Sequence, residues 1–265
     1  MVRDRVVEAV SYLVLLAAWQ LAAIAYSSPW LVGPLEIARV FADKVFLAKL
    51  VDAYLLTAMR ALTGFALGLV AGLGLGVLAG MVALRLGGVL EKLSAIIASV
   101  PSVAWIPLLI ALLGTDEFRL PVAASFLCSF PPILYQVFSA LRSVDPEEVA
   151  VAQTLGAEGM YLWRTIILPK VLEKLFPAVK VESVMTWKTV FAAEMVAVPS
   201  GLGYLAMLYA DLLDVAHVAA IVFVLTATVA VFVSLASRFE KRVLAKRGLG
   251  ERSWQSISMY AAREY

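Results

Sequence analysis

Charged residues interrupt otherwise apolar stretches, among them Arg60 in one, and Lys180, Glu182, Lys188 and Glu194 grouped in another. A charge inside a bilayer costs several kcal/mol unless it is paired or hydrated. At about 100° per residue, Lys180, Lys188 and Glu194 fall within about one third of a helix circumference, and Glu182 points away. Such a stripe can line a hydrated route across the membrane, with Lys188 favouring an anion and Glu194 the second pathway candidate. The same charges can instead pair between helices or snorkel to the interface. His217 is the only histidine and Cys128 the only cysteine. One of each excludes an internal disulfide and leaves too few ligands for a zinc cluster. An intramembrane serine protease needs a nucleophile beside a base. No Gly-x-Ser-Gly segment is present, and no Gly-x4-Gly-Lys-Ser/Thr phosphate loop. No catalytic, metal-binding or cofactor-binding residue is therefore assigned. His217 reads as a wetted interfacial residue and Cys128 as small apolar packing.

The elements that carry these residues are membrane helices. Of the 265 residues 62% are hydrophobic, with a mean hydropathy of +0.90, against about 45–50% apolar for a soluble domain. The net charge of +2 gives no sign of nucleic-acid binding. Runs of roughly 20 apolar residues predict about six spans, near Val6–Tyr26, Ala53–Ala83, Val89–Leu113, Leu120–Leu141, Val171–Val198 and Val218–Phe239. Arg3 and Arg5 ahead of an apolar run, with Ala23-Ile24-Ala25 behind it, also fit a signal peptide, although the run is long for one. Pro101 and Pro107 in the third span and Pro131-Pro132 in the fourth predict kinks. Lys and Arg concentrate in the segments that lie inside when both termini are cytoplasmic. Pro34–Leu50 alternates apolar and charged residues at helical spacing and reads as an amphipathic helix at the outer interface. Pro199–His217 reads as an outer loop. Gly64, Gly68, Gly72, Gly76 and Gly80 line one face of the second span. That face suits close packing within the chain, or a surface that slides.

The longest inner loop, about 142–170, is patterned as a short, firmly stopped helix. Asp145 can cap it, Pro146 suits its first position, and Glu147 and Glu148 favour its positive end, Glu148 in the capping-box place. Small residues Ala150 and Ala152 follow, and Gly156-Ala157 can end it in the left-handed conformation. A second amphipathic helix with Leu162, Trp163, Ile166 and Ile167 is predicted to stop near Leu168-Pro169.

Gly156, nine residues, then Ile166-Ile167-Leu168-Pro169 resembles the second half of the EAA loop of ABC importer permeases. The Glu-Ala-Ala half is degraded: Ala150, Val151 and Ala152 stand in its place, so the acidic contact falls to Glu147 or Glu148. Trp19-Gln20, Pro29–Pro34, Arg60 with Gly64-Phe65, Trp105-Ile106-Pro107, Phe130–Ile133, Ala193-Glu194-Met195 and Gly201–Tyr204 resemble, in order, the nitrate/sulfonate/taurine branch.

This resemblance implies an all-α integral membrane fold of about six transmembrane helices, a type I ABC importer permease-like bundle with a cytoplasmic coupling helix. It implies no cofactor and no enzymatic activity in this chain. The partners it implies are ATP-binding cassette ATPase subunits, an extracytoplasmic solute-binding protein and a second permease copy. Its ATPase-coupling residues would be Glu147, Glu148, Ala150, Ala152, Gly156, Ala157, Leu168 and Pro169. The expected organisation is a first helix with the outer amphipathic helix over 1–52, a permease domain over 53–245 and a cytoplasmic tail over 246–265. The solute would be small and anionic; nitrate, sulfonates, taurine, bicarbonate or a vitamin precursor all fit. A permease of another ABC branch, and a secondary transporter or channel not powered by ATP, are the alternatives.

Overall fold

The computed structural model describes residues 2–26, 28, 30–82 and 84–246, which are helical with short breaks. The elements are α1 (Val2–Tyr26), α2 (Pro34–Val40), α3 (Lys44–Val82), α4 (Leu84–Ser99), a 3-10 turn (Ser102–Trp105), α5 (Ile106–Leu113), α6 (Arg119–Arg142), α7 (Pro146–Thr154), α8 (Gly159–Leu162), a π turn (Trp163–Ile167), α9 (Leu168–Ala197), α10 (Leu202–Asp211) and α11 (Val215–Lys246).

Uninterrupted helices long and apolar enough to cross a bilayer cover Lys44–Gly80, Arg119–Arg142 and Val215–Val243. Two broken pairs, Gly88–Ser99 with Ser102–Leu113 and Gly159–Ala197 with Leu202–Asp211, raise the count to as many as five. The apolar part of α1, Val10–Tyr26, is shorter. The described helices thus supply three to five spans where about six were expected. The shortfall comes from helix breaks and from that short apolar run. Large apolar side chains such as Val70, Phe223, Val231 and Phe239 stay exposed on the long helices, as a lipid-facing surface requires.

Other expectations are corrected by local chemistry. The predicted amphipathic helix over Pro34–Leu50 is two helices. α2 ends at Val40, Asp43 Oδ1 accepts the Val45 N–H at 2.9 Å, and α3 begins at Lys44 and continues into the span. The proline expectations divide. Pro101 separates α4 from the 3-10 turn, and the helices on either side meet at 92°. Pro107 sits in the first turn of α5, where a missing N–H costs nothing. Pro131 and Pro132 lie inside α6, which runs through them unbroken. The predicted stop at Leu168-Pro169 is not a stop. The Leu168 N–H bonds Trp163 O in π geometry, and the chain passes into α9. Pro169 falls in the first turn of α9, where its missing N–H is tolerated. The predicted outer loop over Pro199–His217 contains α10, with Leu202, Gly203, Leu205 and Ala206 buried.

The chain forms two compact units, the first Met1–Met59 with Phe191–Thr228, the second Arg60–Val190 with Val229–Tyr265. The first has a core of Ile37, Val40, Phe46, Leu50, Leu202, Leu205 and Ile221, among others. Gln20 Oε1 in α1 accepts the Leu35 N–H at 3.0 Å and so caps α2.

The second unit is organised around the glycine face. A Cβ on Gly64, Gly68, Gly72, Gly76 or Gly80 would strike Ser125, Ser129, Ile133, Val137 or Leu141 of α6 respectively. Both rows advance by four residues, so the i±4 ridge of α6 lies in the glycine groove of α3. The glycines are packing positions within the chain. Ile133, Val137 and Leu175 continue this core, and Arg142 pairs with Glu91 of α4 at 2.9 Å.

Candidate functional site

The loop after α6 folds as its residue types dictate. Asp145 Oδ1 accepts the Glu147 N–H at 2.9 Å, and Pro146 opens α7. At the other end Gly156 takes φ +85°, its N–H bonds Gln153 O at 2.9 Å, and the Ala157 N–H bonds Ala152 O at 2.9 Å. These two bonds make a Schellman stop, which needs a left-handed residue where glycine stands. Ala152, Ala157 and Leu162 are buried together against Val149, Ile166 and Ile167. Ala150 and Glu147 are exposed. Glu148 leaves the capping-box role and pairs with Lys170 near the start of α9. Leu168 and Pro169 are half-buried in the π-turn junction. α7 is thus fastened to α8 and the π turn by an apolar cluster, and to the first turn of α9 by an ion pair. Its outer surface and the following turn present Val151 (59% exposed), Leu155 (83%), Met160 (69%) and Tyr161 (65%).

The charged stripe of α9 is divided among different environments. Lys180 donates to Glu240 of α11 at 2.5 Å, while Lys188 is exposed. Glu194 is fully buried and accepts from the Thr57 hydroxyl at 2.8 and 3.0 Å and from the Gly203 N–H at 3.0 Å. Thr57 Oγ1 also accepts the Leu202 N–H at 2.8 Å. The carboxylate therefore holds the N-terminal turn of α10. Gly201 has φ +97°, and a Cβ there would collide with the Glu194 carboxylate, which explains why this turn reads Gly-Leu-Gly. Arg60 is 1% exposed and lies 4.0 Å from Glu117.

His217 is half-buried and packed on one side by aromatic rings. It stacks on Tyr209 with centroids 4.3 Å apart, meets Phe46 edge-on at 4.6 Å, and places Nδ1 2.7 Å from Asp214 Oδ2. Burial pushes the Asp214 carboxyl up, but hydrogen bonds from the His217 side chain and backbone outweigh it and hold the group below the usual carboxylate range.

One polar group escaped sequence reasoning. Ser102, Cys128, Thr186 and Thr189 meet within the second unit, with Ser102 Oγ 2.7 Å from Thr189 Oγ1 and Thr189 Oγ1 donating to Cys128 Sγ at 3.3 Å. The available signal was weak: Thr186 and Thr189 share a helix face, and Ser102 follows a helix-breaking proline.

Comparison with known proteins places this geometry in a family. The family model described as binding-protein-dependent transport system inner membrane component matches residues 72–247, about two thirds of the chain. The putative aliphatic sulfonates transport permease protein SsuC of Escherichia coli (strain K12) is 32% identical over 80% of this chain and 81% of its own length. A probable ABC transporter permease protein of Brucella melitensis is 29% identical over 68% of this chain and 74% of its own. Among solved structures, an amino acid ABC transporter crystallised with histidines superposes with a TM-score of 0.63 at 16% identity, covering 77% of this chain and 98% of that one. The inward-facing MetNI methionine ABC transporter gives 0.60 at 19% identity, covering 77% and 99%. The fold is therefore an all-α membrane bundle of the ABC importer permease kind. The chain belongs to the binding-protein-dependent transport system inner membrane component family, the ABC transporter permeases, and is a transport subunit, not an enzyme.

Proposed function

We propose that this chain is the permease subunit of an ATP-driven importer, and that α7 is its coupling helix, docking on a separate ATPase subunit. The observation that carries the reading is the build of α7. It is capped at Asp145, stopped at Gly156, packed on α8 and the π turn through Ala152, Ala157 and Leu162, paired with α9 through Glu148 and Lys170, and yet shows Leu155 83% exposed. An apolar side chain held that far out on a rigid support suits burial in a partner's groove. Force applied there enters the bilayer along α9 without passing through a flexible linker.

In this reading Glu147, Glu148, Ala150, Ala152, Gly156, Ala157, Leu168 and Pro169 carry coupling. The exposed ones meet the partner, and Ala152, Ala157, Leu168 and Pro169 hold the shape. Two permease copies, an extracytoplasmic binding protein and two ATPase subunits complete the machine. The six spans are α1, α3, the α4–α5 pair, α6, α9 with α10, and α11. Both termini and α7 face the cytoplasm, in line with the Lys and Arg distribution. The permease domain covers 53–245, a boundary inside α3, after an accessory segment over 1–52; 247–265 of the tail lie outside the described residues. Lys188, exposed on α9, and Glu194 are the pathway candidates, and the solute is a small anion of the class named by the sulfonate relative.

Leu155→Glu leaves the fold intact and abolishes co-purification with the cognate ATPase, together with ATP-dependent uptake. Gly156→Ala, strained at φ +85°, weakens both less. Normal assembly and transport by Leu155→Glu would overturn the coupling role. Uptake persisting without any ATPase would favour a secondary transporter or channel.

A further inference from the structure

Most hydroxyls on the long helices turn back to backbone carbonyls. Ser125 bonds Ala61 O, Ser129 bonds Ser125 O, Ser183 bonds Lys180 O, and Thr226 and Thr228 bond Val222 O and Val224 O. This is the usual way to satisfy such a group where water is excluded. The cluster of Ser102, Cys128, Thr186 and Thr189 departs from it. Ser102 and Thr189 bond each other, and Thr189 bonds the Cys128 thiol. Thr186 is 1% exposed, and its hydroxyl faces the Cys128 thiol without a well-formed hydrogen bond among the described residues. A buried hydroxyl so poorly paired is a standing cost and calls for a reason.

The surroundings supply one. Ser102 begins the 3-10 turn after the 92° break at Pro101. Cys128 lies on α6 four residues before Pro132, which removes the usual helical donor to the Cys128 carbonyl. Thr186 and Thr189 lie one turn apart on α9. Three elements, one broken at Pro101 and one continuous but short of a backbone bond at Pro132, converge on a small group of neutral donors. Interrupted helices at membrane depth are where transporters build solute sites.

We propose that Ser102, Cys128, Thr186 and Thr189 form a transient station for the oxygen atoms of a small oxyanion of the alkanesulfonate class; this rests on the importer reading above. Each of these side chains has one rotatable proton to give, and a sulfonate only accepts. None carries a fixed positive charge, so the hold is weak enough to release the solute onward.

Cys128 is the sole cysteine and a native reporter. The test uses the assembled complex with its ATPase and binding protein in vesicles, methanesulfonate as solute and a small methanethiosulfonate reagent. Cys128 is expected to react during ATP turnover, and methanesulfonate to slow that reaction several-fold. Thr186→Val is expected to raise KM for methanesulfonate roughly tenfold, the effect of one lost hydrogen bond, while its Tm rises. Thr186→Ser restores KM. The station is overturned if Cys128 stays inert through turnover while a control Asp211→Cys on the exposed end of α10 reacts, or if Thr186→Val keeps the unaltered KM. Absence of ATP-driven uptake by the unaltered complex, with Cys128 nonetheless protected by methanesulfonate, would sink the importer reading and leave the binding site standing.

Discussion

Thr57 and Glu194 lie 137 positions apart in the chain, yet the Thr57 hydroxyl sits 2.8 Å from Glu194 Oε2 with both side chains sealed from solvent. Thr57 also accepts the N–H of Leu202, so one hydroxyl joins the buried carboxylate to the first turn of α10. Replacing Thr57 with Val removes a donor from a buried charge and an acceptor from a buried N–H. A loss of about 2–4 kcal/mol is expected, read as a lower Tm of the purified protein. Thr57→Ser keeps both bonds and most of the stability. Gly201→Ala should be as damaging as Thr57→Val, since its Cβ would occupy the place of the carboxylate.

The glycine face of α3 predicts opposite signs at neighbouring positions. A Cβ on Gly68 would meet Ser129 and the backbone nitrogen of Phe130, so Gly68→Ala should cost about 1–3 kcal/mol through overpacking. Gly74 has nothing within 4 Å of a built Cβ, and Gly74→Ala should gain up to about 1 kcal/mol from helix propensity. Chemical denaturation in detergent separates the two. Equal effects at both positions would contradict the packing of α3 on α6.

Asp214 gives the acid side of the stability profile its sign. Its carboxyl is held below the usual range in the folded chain by His217. Its contribution is therefore complete above the ordinary carboxylate pKa of about 4. It is lost as pH falls through the lower folded value. Asp214→Asn should flatten the decline in Tm on acidification below that point. An unaltered acid limb would mean that the Asp214–His217 contact does not stabilise the fold.

Much of the architecture was legible because membrane helices announce themselves by length and apolarity, and the limits of α6 and α7 follow from single residues. Asp145 and Gly156 act on their own neighbours within a turn or two, so their roles follow from local chemistry. The family resemblance was carried by Gly156 with Ile166–Pro169 and by short fragments in shared order along the chain, from Trp19-Gln20 to Gly201–Tyr204. The misread breaks were those where one residue type permits more than one outcome. Proline separates helices at Pro101, opens one at Pro107 and is absorbed in mid-helix at Pro131-Pro132, and only the packing around each decides which.

By itself the sequence determined that the chain is a membrane-type helical protein, that it carries a capped and stopped helix between α6 and α9, and that it has no phosphate-loop motif. Each is a property of composition or of residues within a few positions of one another. Only the tertiary structure decided which charges and hydroxyls face each other. It placed Glu194 against Thr57, Lys180 against Glu240 and Ser102 against Thr189, and it set the glycine row into α6. A helical period tells which residues share a face. What that face meets depends on where distant helices come to lie, and no local spacing encodes it.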